Sequence, residues 1–278
     1  MKCNYHTHST YCDGKEPLSA FVEQAIKLDF NHLGFSSHAP IPNENDFAIK
    51  EEEIPTYLNE IQQLKAQNLP LTLFAGLECD FIPTISIPFK HFKEEYQLDY
   101  MIGGVHLVKS PLHNELWFID GSKRETYDRG LDELFHRNIQ KAVTTFWEQS
   151  FEMLETEQFD IIAHLDKIKM HNQDRFFTQQ ESWYLDLVDY ALYLIKKHDV
   201  IIEMNSRGLY KSRCNSFYPS DYIIQKAKKL SIPFIISSDA HQSEELNLYY
   251  EEAIAKLKSF GIDELVALRE GKWKEYTI

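Results

Sequence analysis

The residues of this chain best suited to chemistry stand in short, spaced groups. Near the amino terminus, Asn4-Tyr5-His6-Thr7-His8 runs into Tyr11-Cys12-Asp13-Gly14. In a strand, residues i and i+2 share a face, so His6 and His8 aim two imidazoles at one point, as a metal-ligand pair does. Further on come His38 in Ser36-Ser37-His38, Glu78 in Gly76-Leu77-Glu78, and His106 in Gly103-Gly104-Val105-His106. Then follow His164 in Ile162-Ala163-His164, and Asp239 with His241 in Ser238-Asp239-Ala240-His241. Imidazole and carboxylate donors without thiolate suit Zn, Mn or Fe(II) better than Ca or Mg. With Asp13 included, these donors exceed the roughly four to six that one such ion takes, so their number predicts two to three divalent ions. Closely spaced ions generate hydroxide from water near neutral pH and clamp the oxygens of a phosphoryl displacement. Hydrolysis of a phosphate ester is the expected chemistry, and metal-assisted C–N bond hydrolysis is the other use of the same donors.

These residues need elements that bring them together. Short apolar runs at 4–8, 32–38, 71–81, 100–106, 159–166, 200–207 and 233–241 have the length of buried strands. Between them lie helical patterns. Leu18, Phe21, Val22, Ala25 and Ile26 form an amphipathic stripe, and later stretches run over 51–67, 123–157, 179–198, 220–230 and 244–259. Alternating strand and helix predicts an α/β fold with a parallel sheet, and the number of units suggests a distorted (β/α)7 barrel of the TIM-like kind. We expect one domain spanning 1–278. His6, His8, His38, His106, His164 and His241 fall at carboxyl ends of these strands, and in a barrel those ends open on one face, where active sites are built. His91, His113, His136, His171 and His198 fall in helices and loops instead. No GxGxxG or GxxxxGK[ST] follows a strand, which argues against dinucleotide and P-loop sites.

Composition narrows the partners. A formal net charge of -14 argues against a broad nucleic-acid-binding surface. No apolar run approaches the roughly 20 residues that span a bilayer, and no signal peptide precedes the first histidines, so a cytoplasmic protein without membrane contact is expected. Cys3, Cys12, Cys79 and Cys214 form no CxxC pair and read as reduced thiols, with Cys12 and Cys79 structural. Oligomeric state leaves no signal in the sequence.

The sixth strand supplies no metal ligand but ends in Glu203-Met204-Asn205-Ser206-Arg207-Gly208-Leu209-Tyr210-Lys211. Alternation turns Glu203, Asn205 and Arg207 toward the mouth and Met204 outward. Arg207 and Lys211 then offer a fork and a point charge to a phosphate, with Asn205 beside them as a substrate contact. A long insertion after the fourth strand carries Asp120 and is either a lid or a hairpin resting on the barrel.

The ordered set, HxH, Asp13, His38, Glu78, His106, His164 and DxH, resembles the PHP (polymerase and histidinol phosphatase) superfamily over nearly the whole chain. That resemblance implies the distorted (β/α)7 barrel and a trinuclear site. His6, His8, Glu78 and Asp239 would hold one ion. Glu78 would bridge to a second, held also by His106 and His164, and Asp13, His38 and His241 would hold the third. Glu78, Asp239 and His241 would thus act in catalysis through their ligand roles.

Segments 203–211, Tyr218-Pro219-Ser220, 34–40 and 103–106 are similar to those of the monofunctional histidinol-phosphate phosphatase branch, with departures at Ser37, Gly104 and Arg207. The implied reaction is metal-dependent hydrolysis of L-histidinol phosphate in histidine biosynthesis. Another phosphomonoester, a diester or a nucleic-acid end is the alternative substrate, and a metal-binding regulatory module is the reading without turnover. The small-molecule substrate's amine would meet an acidic mouth drawn from Glu203, Asp80 or Asp120.

Overall fold

The computed structural model describes residues 1–42, 45–111 and 115–278, so His113 lies outside the described residues. Seven strands form the centre: β1 (Cys3–Asn4), β2 (His32–His38), β3 (Thr72–Asp80), β4 (Tyr100–Gly104), β5 (Ile161–Ile162), β6 (Ile201–Asn205) and β7 (Phe234–Ser237). All pair in parallel, in the order of the sequence. Beyond β1 and β7 the chain makes a parallel bridge between Thr7 and Ala240, with His8 N donating to Ala240 O at 2.8 Å and Ala240 N to His6 O at 3.2 Å. This bridge closes the barrel and holds the HxH and DxH segments side by side. Two strands of two residues each make it a distorted barrel.

Burial on both faces explains the apolar runs. Every residue of β2 is buried, and helices cover the outside, as Leu18–Lys27 does with Leu18, Phe21, Val22 and Ala25. Inside, Tyr100 fills the barrel and donates to Phe35 O at 3.0 Å. Its ring requires glycine at two neighbouring positions: a Cβ on Gly34 would lie 2.5 Å from Tyr100 Oη, and one on Gly76 2.6 Å from Cζ. Parallel register then sets His38 beside Glu78.

Three expectations change. The 123–157 stretch is two helices, Arg124–Phe135 and Ile139–Thr156, separated at His136 and Arg137, whose φ angles are 51° and 61°, and restarted by the Asn138 side chain accepting from Lys141 N. Strands β5 and β7 stop short of their ligands, so His164 (φ 28°) and Asp239 (φ 53°) stand in left-handed backbone beyond the sheet. After 244–259, the last element read from the sequence, the chain adds two strands. An antiparallel hairpin, Glu264–Arg269 with Lys272–Thr277, turns at Glu270-Gly271, and Gly271 has φ 72°. Its Val266, Leu268, Trp273 and Tyr276 plug the amino-terminal end of the barrel against Cys3, Tyr5 and Tyr100.

The insertion after β4 is a ribbon of Leu107–Lys109 and Leu116–Phe118. Trp117 is buried and donates to Tyr127 O at 2.9 Å, while the Gln149 amide ties Lys109 N and Leu107 O to the barrel. The ribbon is thus a packed hairpin that brings Phe118 and Asp120 to the mouth. Among the described residues no helix is long and apolar enough to cross a membrane.

Candidate metal centre

Glu78 stands at the centre of the carboxyl-end cluster. Its Oε2 lies 3.0 Å from His6 Nε2, 3.4 Å from His8 Nε2 and 3.2 Å from His38 Nδ1. Its Oε1 lies 3.1 Å from His164 Nε2 and 3.3 Å from His106 Nε2, and those two nitrogens are 3.1 Å apart. Asp239 Oδ1 faces His8 Nε2 at 3.4 Å and His6 Nε2 at 3.8 Å. Asp13 joins from the loop after β1, 3.1 Å from His241 Nε2 and 3.9 Å from His38 Nε2. Donor atoms within 4.8 Å of one another group as His6, His8 and Asp239; as His38, Glu78 and His106; and as His8, Asp13, His38 and His241. All nine residues predicted as ligands are therefore brought together.

The donor chemistry fits divalent ions. Burial would protonate Glu78, but the His6, His38 and His106 rings hold its carboxyl well below the usual range. Asp239 is likewise held well below its ordinary value against burial, by Arg207, His6 and Lys167. Burial and the neighbouring His241 and His38 keep His8 neutral, and burial with Lys167 pushes His164 down to about 4. Ionised carboxylates and neutral imidazoles such as His8 and His164 are metal donors, whereas at His6 and His106 the surrounding carboxylates draw the ring pKa well upward against burial, a charge that a bound cation would replace. Moreover, His6 Nε2, His8 Nε2, His38 Nδ1 and Glu78 Oε2 are buried with no hydrogen-bond partner, an arrangement costly in a dry core and natural around a cation.

Behind the donors lies a supporting layer. Glu203 Oε1 accepts a hydrogen bond from His6 Nδ1 at 2.6 Å, while its Oε2 accepts from His164 N at 2.8 Å and Asn205 Nδ2 at 2.9 Å. Asp80 accepts from His106 N at 2.9 Å. Cys12 Sγ sits 3.5 Å from His8 Nδ1, and Cys79 is buried in the core.

A cavity of about 200 Å³ opens above the cluster, lined by Asp13, His38, Glu78, His106, Asp239 and His241 on the floor and by Phe47, Phe118, Asp120, Gly121, Ser122, Lys167, Arg207 and Arg213 around the sides. Sequence reasoning missed Lys167, Arg213 and Phe47. Lys167 is buried, 2.6 Å from Asp120 Oδ2 and 3.9 Å from Asp239 Oδ2, and these carboxylates keep it charged despite burial. Its one signal is position: a base three residues past His164, on the turn Lys167–Lys169 at the mouth. Arg207 reaches the cavity as expected. Asn205 and Lys211 do not line it: Asn205 is fully buried on Glu203, and Lys211 is ion-paired with Glu245. Glu203 and Asp80 likewise lie below the floor, so among the three acids expected at the mouth Asp120 alone faces it.

A parallel barrel with buried imidazole–carboxylate clusters at its carboxyl mouth defines the class, an enzyme of the phosphoesterase type. The chain belongs to the PHP family, whose PHP domain model matches residues 4–207. It is similar to the histidinol-phosphatase of Bacillus subtilis, 24% identical over 275 residues that cover 90% of this chain and 97% of that protein. Its fold is that of a Listeria monocytogenes protein assigned as a histidinol phosphatase, with TM-score 0.79, 21% identity, and coverage of 90% of this chain and 99% of that one. It is also that of the Lactococcus lactis histidinol phosphate phosphatase solved with zinc, L-histidinol and phosphate, with TM-score 0.69, 19% identity, and 98% of each chain covered.

Proposed function

We propose that this protein hydrolyses L-histidinol phosphate to L-histidinol and inorganic phosphate, a step of histidine biosynthesis. The observation that carries the reading is the composition of one small cavity, with metal-type donors on its floor, three cationic side chains on its walls and two phenylalanines beside them. Full-length likeness to proteins named histidinol-phosphatase supports the choice of substrate.

Divalent Zn, Mn or Fe(II) ions held by His6, His8 and Asp239, and by Glu78, His106 and His164, would polarise the phosphoryl group and lower the pKa of water. Glu78 and Asp239 serve catalysis by holding those donors' charge in place. Lys167, Arg207 and Arg213 line the phosphate's side of the cavity, and donors already fixed there stabilise charge as it develops on the phosphoryl and leaving oxygens. Asp120 Oδ1 is buried without a hydrogen-bond partner and takes the substrate's ammonium group. Phe47 and Phe118, stacked with centroids 6.4 Å apart, flank the imidazole ring. An acidic protein with a cavity of about 200 Å³ suits a compact phosphomonoester better than a nucleic-acid strand, which needs a basic groove.

The test is turnover by Mn- or Zn-loaded protein across L-histidinol phosphate, other small phosphomonoesters, a simple diester and single-stranded DNA. The reading expects L-histidinol phosphate to have the highest kcat/KM. Preferential cleavage of a diester or of DNA would overturn it.

A further inference from the structure

Outside the cluster two histidines are buried among the described residues: His32 beside Tyr5 at the amino-terminal end of the barrel, and His171 at the mouth. His171 belongs to the loop after β5 that also carries Lys167. Its Nε2 lies 2.7 Å from Gly121 O, and because a carbonyl only accepts, the imidazole is the donor. Gly121 lies in the insertion after β4 and directly follows Asp120. The hydrogen bond therefore joins the two segments that bring Asp120 and Lys167 to the cavity. The His171 side of the joint is itself held. Arg175 donates to His171 O from Nη2 at 2.7 Å and from Nε at 3.2 Å, and its Nη1 and Nη2 bond the Asp128 carboxylate at 2.9 and 2.6 Å. Asp128 lies on Arg124–Phe135, the helix that follows the ribbon, so one guanidinium ties the two segments a second time. Tyr127 of that helix packs edge-on against the imidazole, with ring centroids 6.0 Å apart.

These ties bear on Asp120. Its Oδ2 is 2.6 Å from Lys167 Nζ, and its Oδ1 is buried without a hydrogen-bond partner. A lysine is a point charge on a flexible stem and does not by itself orient a carboxylate. Orientation has to come from the backbone, and His171 holds the backbone one residue on. We propose that His171 is the positioning residue for substrate recognition at Asp120: by fixing the Gly121 carbonyl it keeps Oδ1 where an amine can meet it, and so makes the mouth selective for phosphomonoesters that carry an ammonium group. The proposal rests on the assignment of Asp120 to the substrate's ammonium group given above. Phosphate binding does not run through this joint, because the floor donors stand at the strand ends and in the loop after β1, and Arg207 stands on the short helix Arg207–Tyr210. Loss of the joint falls on the amine and spares the phosphate.

The test compares L-histidinol phosphate with its deamino analogue, an imidazolylpropyl phosphate, as substrates of Mn- or Zn-loaded protein. The variants are His171→Phe, which keeps a ring against Tyr127 but loses the donor, His171→Gln, whose amide donates to the same carbonyl, and Arg175→Ala, which removes the surface clamp. The proposal expects His171→Phe to raise KM for L-histidinol phosphate about tenfold with kcat little changed, and to leave KM for the analogue where it was. Affinity for L-histidinol, measured by calorimetry, should fall by the same factor, and His171→Gln should restore both values. Arg175→Ala should show the same split in smaller measure, and it decides the matter if His171→Phe does not fold. An equal change on both substrates, or none on either, would overturn the proposal, since a general loss of structure does not single out an amine. A wild type that prefers L-histidinol phosphate, with no split in the variants, overturns this proposal alone. A wild type that turns over both substrates alike overturns the role of Asp120 together with it.

Discussion

Glu203 and His6 are joined by a 2.6 Å hydrogen bond between two fully buried side chains, with the imidazole's other nitrogen 3.0 Å from Glu78. Because the same carboxylate accepts from the backbone of His164, it braces donors of both proposed ion sites. Replacing Glu203 by Gln puts an amide N–H where an acceptor is needed, which either leaves a donor opposing a donor or moves the His6 proton to the ligating nitrogen. Glu203→Gln is expected to lower metal affinity by about 10–100-fold, measured by competition with a chelating dye. Unchanged affinity in a folded variant would count against this bracing role.

Lys167 is one of two cavity cations that sequence reasoning missed, and its loss should fall on turnover. Lys167→Ala removes a buried donor from the cavity wall and leaves Asp120 unpaired, so kcat/KM for L-histidinol phosphate is expected to fall by about 10²–10³. Steady-state phosphate release measures it, and metal stoichiometry should hold.

Metal should stabilise the fold. The buried donors that have no hydrogen-bond partner gain one in the ion, so ligand linkage raises stability by about 2.7 kcal/mol at a hundredfold excess over Kd. Thermal unfolding should shift upward with Zn or Mn, and chelation should reverse the shift. A Tm indifferent to both would speak against ion binding.

Away from the site, Tyr5 couples the terminal hairpin to the barrel, accepting from Leu268 N at 2.9 Å and meeting His32 Nδ1 at 2.7 Å. Tyr5→Phe leaves that buried amide without a partner and is expected to cost about 1–3 kcal/mol. Urea unfolding measures the loss, while metal content is unchanged because Tyr5 faces the opposite end from the cluster.

Much of the site was legible because metal ligation leaves a local trace: HxH and DxH show which side chains share a direction, and parallel strands bring those ends to one rim. Depth was not legible. The i, i+2 alternation put Glu203, Asn205 and Arg207 on one face, but the strand ends at Asn205 and Arg207 opens the short helix Arg207–Tyr210. Arg207 therefore reaches the cavity, while Glu203 and Asn205 lie beneath its floor. Lys167 escaped notice because a short turn after a two-residue strand has no periodicity to read. The terminal hairpin was hidden by Lys272–Thr277, whose charged residues look like a solvent-exposed tail although Trp273 and Tyr276 turn inward.

Phosphate release from L-histidinol phosphate by Mn- or Zn-loaded protein, run beside His106→Ala, tests the central claim most directly. Rapid release that the His106 variant abolishes is the predicted result. Release that survives in that variant would contradict the metal mechanism, and no release by the loaded wild type would contradict the substrate.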